Sequence, residues 1–142
     1  HVKMEAALKR SMQMGADLAC FGDIDIEGNR RWSEERCRNA GIEPVFPLWN
    51  AGREDNVREL LSLGYECLIK SINNTLLPKS LLGKIIDEQT VSVMKKAGID
   101  ICGENGEYHT LTTDGPIFKE PILLKTGRIL DFGDYSVIDV TV

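Results

Sequence analysis

Short apolar runs alternate with helical stretches of about ten residues through the first two-thirds of the chain, and this alternation constrains the fold more than any other feature. Met4, Ala7, Leu8 and Met12 recur at helical spacing over residues 4–14, and Gly15 supplies a stop. The run at 18–21 reads as a short buried strand, and residues 22–29 read as loop. Asn29 is placed to cap a helix over 30–40 that Gly41 ends. Residues 44–46 form a second strand running into Pro47-Leu48-Trp49. Asp55 or Asn56 then caps a helix carrying Val57, Leu60 and Leu61, and Gly64 closes it. A third apolar strand spans 67–72, and a connection broken by Pro78 spans 73–83. A helix over 87–97 turns Val91 and Met94 inward, and residues 99–102 re-enter the sheet.

Strands separated by helices of this length are built into crossover units, so the expected class is α/β, a parallel sheet with crossover helices on both faces. Beyond Thr110 the pattern changes. Residues 122–125, a Thr126-Gly127 turn, 128–132 and 137–142 alternate as short strands with tight connections, a β-rich C-terminal extension. The expected division is therefore an α/β domain over 1–118 and the extension over 119–142. At 142 residues the chain is long enough for a real core, and 42% hydrophobic with 27% charged residues matches packed globular chains.

Formal charge is −5 (17 basic, 22 acidic) with the signs mixed, which offers no broad basic surface, so no nucleic-acid partner is expected. No apolar run approaches the roughly 18 residues that span a bilayer, and no signal-peptide pattern opens the chain. The expected compartment is cytoplasmic. Cys20, Cys37, Cys67 and Cys102 lie far apart with no CxxC pair, so they read as small buried apolar residues rather than a zinc or disulfide framework.

In a parallel sheet, ligands bind beyond the carboxyl ends of the strands. Topology alone would gather three loops at one rim: Gly22-Asp23-Ile24-Asp25, Pro47-Leu48-Trp49, and residues 103–110. In the last loop, Gly103 and Gly106 permit close approach of backbone to ligand. Glu104 and Glu107 place two carboxylates that can bind magnesium, orient an ammonium group or take a proton from an attacking amine. A turn with solvated glutamates is the plainer reading. Asp23 serves magnesium, ribose or substrate, or caps the next helix. Arg30 and Arg31 suit a phosphate or carboxylate, or a solvated helix face. Trp32 and Trp49 are core anchors or stacking surfaces, and His109 is structural or a proton relay.

Taken together, Gly22-Asp23-Ile24, Arg30 and Trp32 with Glu35 and Cys37, Pro47-Leu48-Trp49, Leu82-Gly83, Cys102-Gly103-Glu104-Asn105-Gly106-Glu107-Tyr108-His109-Thr110 and Asp114-Gly115-Pro116-Ile117-Phe118 resemble the diphthine–ammonia ligase family of PP-loop ATP pyrophosphatases. The resemblance covers most of residues 15–121. It implies an adenine-nucleotide alpha-hydrolase-like (HUP/Rossmann-like) sheet, of which this chain would be the C-terminal portion. It also implies ATP and Mg2+ as cofactors, adenylation of the carboxylate of diphthine on elongation factor two, and displacement of AMP by ammonia, with pyrophosphate as the other product. Glu104, Glu107 and His109 would then be catalytic; Gly22, Asp23, Gly103 and Gly106 would line the nucleotide; Arg30, Trp49, Tyr108 and Thr110 would meet substrate. The family grips phosphate with Ser-Gly-Gly-x-Asp-Ser, and no Ser-Gly-Gly occurs in this chain. The chain opens at His1 without an initiator methionine, so a piece of a longer protein is expected, with roughly 70 to 100 further N-terminal residues to complete two or three crossover units.

Two other readings stay open. The same adenylation could serve a different carboxylate or small-molecule acceptor in a bacterium. Alternatively, the chain is a non-catalytic interaction module whose β-rich tail mediates assembly, as a homo-oligomer or otherwise.

Overall fold

The apolar spacing that opens the chain becomes helix α1 (Val2–Gln13), followed by β1 (Leu18–Cys20), α2 (Glu27–Ala40) and β2 (Glu43–Val45) in a computed structural model that describes residues 2–142. β1 and β2 pair in parallel from Leu18–Glu43 to Cys20–Val45, so β1–α2–β2 is one crossover unit of the expected kind, but β1 is not the buried strand expected: Leu18 and Cys20 are exposed and only Ala19 between them is half-buried. Leu8, Cys37 and Ile42 form its buried centre, with Met4, Ala16, Ala19 and Phe21 packed around them. Burial pushes the Cys37 thiol pKa up, which suits an inert core cysteine. Arg36 is buried too and ties α2 to α1 through Glu5 at 3.1 Å, while also pairing with Glu35. Gly41 ends α2 in the left-handed conformation, φ 85°, where an L side chain is strained, and its N–H donates to the Cys37 carbonyl.

Asn29 is not the cap of α2. The Asn29 N–H already donates to the Ile26 carbonyl at 3.0 Å, so the first turn closes upstream and Ile26 occupies the capping position without a side-chain bond.

The second unit, residues 53–142, holds α3 (Arg53–Ser62), β3 (Glu66–Asn73), a 3-10 turn (Lys79–Leu81), α4 (Glu88–Lys96), β4 (Tyr108–Asp114), β5 (Lys125–Phe132) and β6 (Tyr135–Thr141). Its sheet runs β4-β3-β6-β5, with every neighbour antiparallel. The mixed α/β class is as expected, but the parallel part is confined to β1 and β2. β3 was expected to continue that parallel sheet; instead it is the buried inner strand of the antiparallel one. Its run Cys67, Leu68, Ile69, Ser71 and Ile72 is buried on both faces, and such a run does not disclose strand direction.

Other expectations change for local reasons. The chain divides at Gly52–Arg53 rather than 118–119, because β6 pairs directly with β3 and so belongs to the same sheet. Asp55 and Asn56 lie inside α3, which begins at Arg53, and Asp55 adds to the negative charge of its first turn. Residues 99–102 are not a strand: Gly98 and Gly103, at φ 71° and 72°, bracket them, and the Asp100 carboxylate accepts the Cys102 N–H at 3.0 Å, curling the backbone into a turn. The hairpin of the tail turns at Gly133-Asp134, not at Thr126-Gly127, which lies within β5 beside a register irregularity. Residues 122–124 precede β5 without strand pairing, although the Ile122 N–H donates to the Thr113 carbonyl at 2.8 Å.

The core of this unit joins Val57 of α3 and Val91 and Met94 of α4 to Ile69 and Ile72 of β3 and to Leu77, Leu81, Leu82, Ile101, Tyr108 and Ile138. α4 begins in a capping box: Asp87 accepts the Thr90 N–H at 2.7 Å, and the Thr90 hydroxyl accepts the Asp87 N–H at 2.8 Å. The Thr90 backbone bond, chiefly, holds the Asp87 carboxyl below its ordinary pKa. Asp87→Ala is expected to cost about 1 kcal/mol of stability, read from a denaturant midpoint. The sign follows from the lowered pKa: the cap's contribution is complete above the ordinary aspartate pKa of about 3.9 and fades as pH falls through the lower folded value. The wild-type advantage over Asp87→Ala should therefore shrink only in that acid range. Among the described residues no helix is long and apolar enough to cross a membrane.

Candidate functional site

Two of the three candidate loops belong to the first unit, where they leave the carboxyl ends of the parallel strands β1 and β2. They are tied to each other: Asn50, at φ 63°, donates its N–H to the buried Ile24 carbonyl at 2.7 Å. Phe21 stacks on Phe46 at 5.5 Å, and Trp49 meets Phe46 edge-on at 6.3 Å. Arg30, reaching from the first turns of α2, lays its guanidinium over Trp49 at 4.6 Å and over Phe46 at 5.2 Å, while its Nε donates to Glu34 at 2.8 Å. The Trp49 face is thus already engaged by a cation of the chain itself, and Arg30 is pre-oriented by stacking. Asp23 accepts the Ser33 hydroxyl at 3.4 Å. Gly22 is exposed, with open space where a Cβ would stand. Asp23, Arg30 and Trp49 all belong to the first unit.

The third loop belongs to the second unit, and because β3 and β4 are antiparallel, the parallel-sheet argument for one shared rim does not extend to it. It is also shorter than expected, since Tyr108, His109 and Thr110 already form the start of β4. Cys102, Gly103, Glu104, Gly106, Tyr108, His109 and Thr110 line an open concavity of about 460 Å³. His109 and Thr110 are exposed at its edge, and Glu104 is half-buried.

Glu107, expected to share this work with Glu104, is turned the other way. It is 5% exposed, does not line the concavity, and accepts the Asn105 N–H at 3.0 Å and the Asn105 side-chain amide at 3.1 Å. Both carboxylate oxygens are therefore spent on holding the turn. A magnesium ion shared by Glu104 and Glu107 does not fit this arrangement, and among the described residues no cluster of three or more His, Cys, Asp or Glu side chains is placed to hold a metal.

Tyr108 also departs from the expected aromatic face. It is 5% exposed, and its hydroxyl donates to the Ile101 carbonyl, stapling the start of β4 to the turn before Gly103. Its ring lies against Gly103, where a Cβ would stand 3.0 Å away; at φ 72° the position also strains any L side chain. Burial, aided by the negative groups around it, pushes the Tyr108 pKa well above its ordinary value. The unfolded phenol ionises near pH 10 and the folded one only higher, so stability present below pH ~10 is lost as pH rises beyond it. Tyr108→Phe should cost about 1–3 kcal/mol, because the Ile101 carbonyl loses its donor. In an alkaline series of unfolding midpoints the variant should lose the part of the decline that Tyr108 supplies.

Asp100, and the part that Asn105 plays in holding Glu107, escaped the sequence reading. An aspartate between Gly98 and Gly103, two residues before a backbone N–H it can accept, is the signal that would have found the first.

The Diphthamide synthase C-terminal domain family matches residues 52–141, which includes the whole concavity and begins one residue before the second unit. The chain is similar to proteins named Diphthine--ammonia ligase: 33% identical to that of Homo sapiens over 123 residues, covering 84% of this chain and 43% of the relative. With the Rattus norvegicus protein it shares 35% identity over 121 residues, covering 82% of this chain and 43% of the relative. With that of Schizosaccharomyces pombe it shares 28% over 135 residues, 92% of this chain and 22% of the relative. The chain thus spans less than half the length of these curated relatives. On the family match over residues 52–141 and the human similarity over most of its length, the chain belongs to the diphthamide synthase family.

Proposed function

We propose that the chain is the substrate-facing part of an ATP-dependent amide ligase that converts the carboxylate of diphthine, carried on elongation factor two, to the carboxamide. In the proposed reaction ammonia becomes the amide nitrogen, and ATP, the co-substrate that activates the carboxylate, leaves as AMP and pyrophosphate. The observation that carries the reading is the Glu104-bearing concavity, built on a turn that internal hydrogen bonds hold in one shape. The names of the relatives support the substrate and the reaction class.

Each residue's proposed part follows from its place. Glu104 holds ammonium at the concavity and takes a proton from the attacking nitrogen, a role suited to a carboxylate at a pocket wall. His109 and Thr110, exposed at the edge, offer hydrogen bonds to the substrate, with His109 also able to pass a proton on. Gly103 and Gly106 let the backbone approach the ligand. In the first unit, Arg30 suits a phosphate or carboxylate group, and Gly22 and Asp23 are the proposed nucleotide contacts. Glu107, Tyr108 and Trp49 act by holding neighbouring groups in place. The proposed setting is the cytoplasm.

The test is AMP release by the full-length gene product with ATP and ammonium, with and without diphthine-bearing elongation factor. AMP that rises only when the factor is present supports the reading. AMP that rises instead with another carboxylate would move the acceptor, and AMP release with none would sink the ligase assignment.

A further inference from the structure

Asp100 does not touch the concavity, yet it gathers the residues that do. Its Oδ1 accepts the Cys102 N–H at 3.0 Å, and its Oδ2 accepts the Glu104 N–H at 3.1 Å. The same Oδ2 pairs with Nη1 of Arg53, the first residue of α3. Arg53 grips the turn a second time through its carbonyl, which accepts the Cys102 thiol at 2.8 Å. The Asp100 side chain is 11% exposed and that of Arg53 27%, so this is a largely desolvated pair rather than a surface contact. Losing either partner of such a pair leaves the other uncompensated.

We propose that the Arg53–Asp100 pair is the positioning device of the candidate ligase site: it fixes the backbone of Cys102 and Glu104, and thereby where the Glu104 carboxylate enters the concavity. The proposal rests on the functional reading above for its catalytic consequence, not for its structural one. The turn contains Gly103 and Gly106, at φ 72° and 82°, which have more backbone freedom than other residues, and the Asp100 carboxylate adds to the bonds that already hold it by fixing the N–H groups on either side of Gly103. Misplacement of a reacting group by about 1 Å can cost on the order of a hundredfold in rate. A merely structural ion pair would contribute to stability and leave substrate handling alone.

Asp100→Asn in the full-length protein separates these roles. The amide keeps one acceptor for the Cys102 N–H but turns an NH2 toward the Glu104 N–H and Arg53. The expected result is at least a tenfold loss in kcat/KM for amide formation, carried mainly by KM for ammonium, at temperatures where the variant is fully folded. The Cys102 thiol should also be alkylated by iodoacetamide severalfold faster than in the wild type. Arg53→Lys, which keeps the charge but not the fork that reaches Asp100, should show both effects more weakly and serves if Asp100→Asn does not fold. Unchanged ammonium KM together with an unchanged alkylation rate in the folded variant would overturn the proposal. A wild-type protein inactive on diphthine, with alkylation still accelerated by Asp100→Asn, would sink the functional reading while upholding the positioning of the turn.

Discussion

Glu104→Gln in the full-length gene product is expected to lower amide formation by at least about a hundredfold, the range typical of removing a positioned general base. The expectation comes from the contrast between the loop's two carboxylates. Glu104 lines the concavity, whereas Glu107 spends both oxygens on Asn105 and is buried. Gln at position 104 keeps size and polarity but cannot take a proton, so the loss of rate should far exceed any loss of stability. Glu107→Gln should do the reverse: it places an NH2 against one of the Asn105 donors, so stability falls and any loss of rate follows from a loosened turn. A steady-state assay beside a thermal scan on both variants checks this. Equal losses of rate at equal stability would show that the two carboxylates share one role after all.

Met94→Ala should have the largest effect on stability, about 2–5 kcal/mol, because it empties a fully buried position in the core of the second unit. Met94 is 0% exposed and belongs to the cluster that joins α3 and α4 to β3. Ile101, just before the candidate loop, belongs to the same buried cluster, so loss of packing there should reach the site. Leu123→Ala is the matching control. Leu123 is 81% exposed, and its truncation should stay within about 0.5 kcal/mol. Urea midpoints of the two variants, measured side by side, give the comparison.

The elements of the first unit were legible because each carries a local signal: helical spacing in α1, a glycine after α2, and an apolar run in β1. The inward face of α4, with Val91 and Met94 buried, was legible for the same reason. The direction of β3 was not, because a strand buried on both faces shows the same apolar run whether its neighbours are parallel or antiparallel, and its partners β4 and β6 lie 35 or more residues downstream. β4 was hidden by its composition: Tyr108, His109, Thr110, Thr112 and Asp114 read as loop until the pairing with β3 is known. Within the site, Gly103, Glu104 and Gly106 were placed in one loop from the sequence, and they line the concavity together. The inward turn of Glu107, the burial of Tyr108 and the stacking of Arg30 on Trp49 could not be read from it, because each is settled by which neighbour the fold supplies.

The most direct test of the central claim is a mass spectrum of diphthine-bearing elongation factor after incubation with the full-length protein, ATP and ammonium. The account predicts that one carboxylate on the modified histidine becomes a carboxamide, with 15N from labelled ammonium in the product, and that Glu104→Gln all but abolishes the change. An unmodified factor under conditions in which the same preparation releases AMP for another acceptor would contradict it.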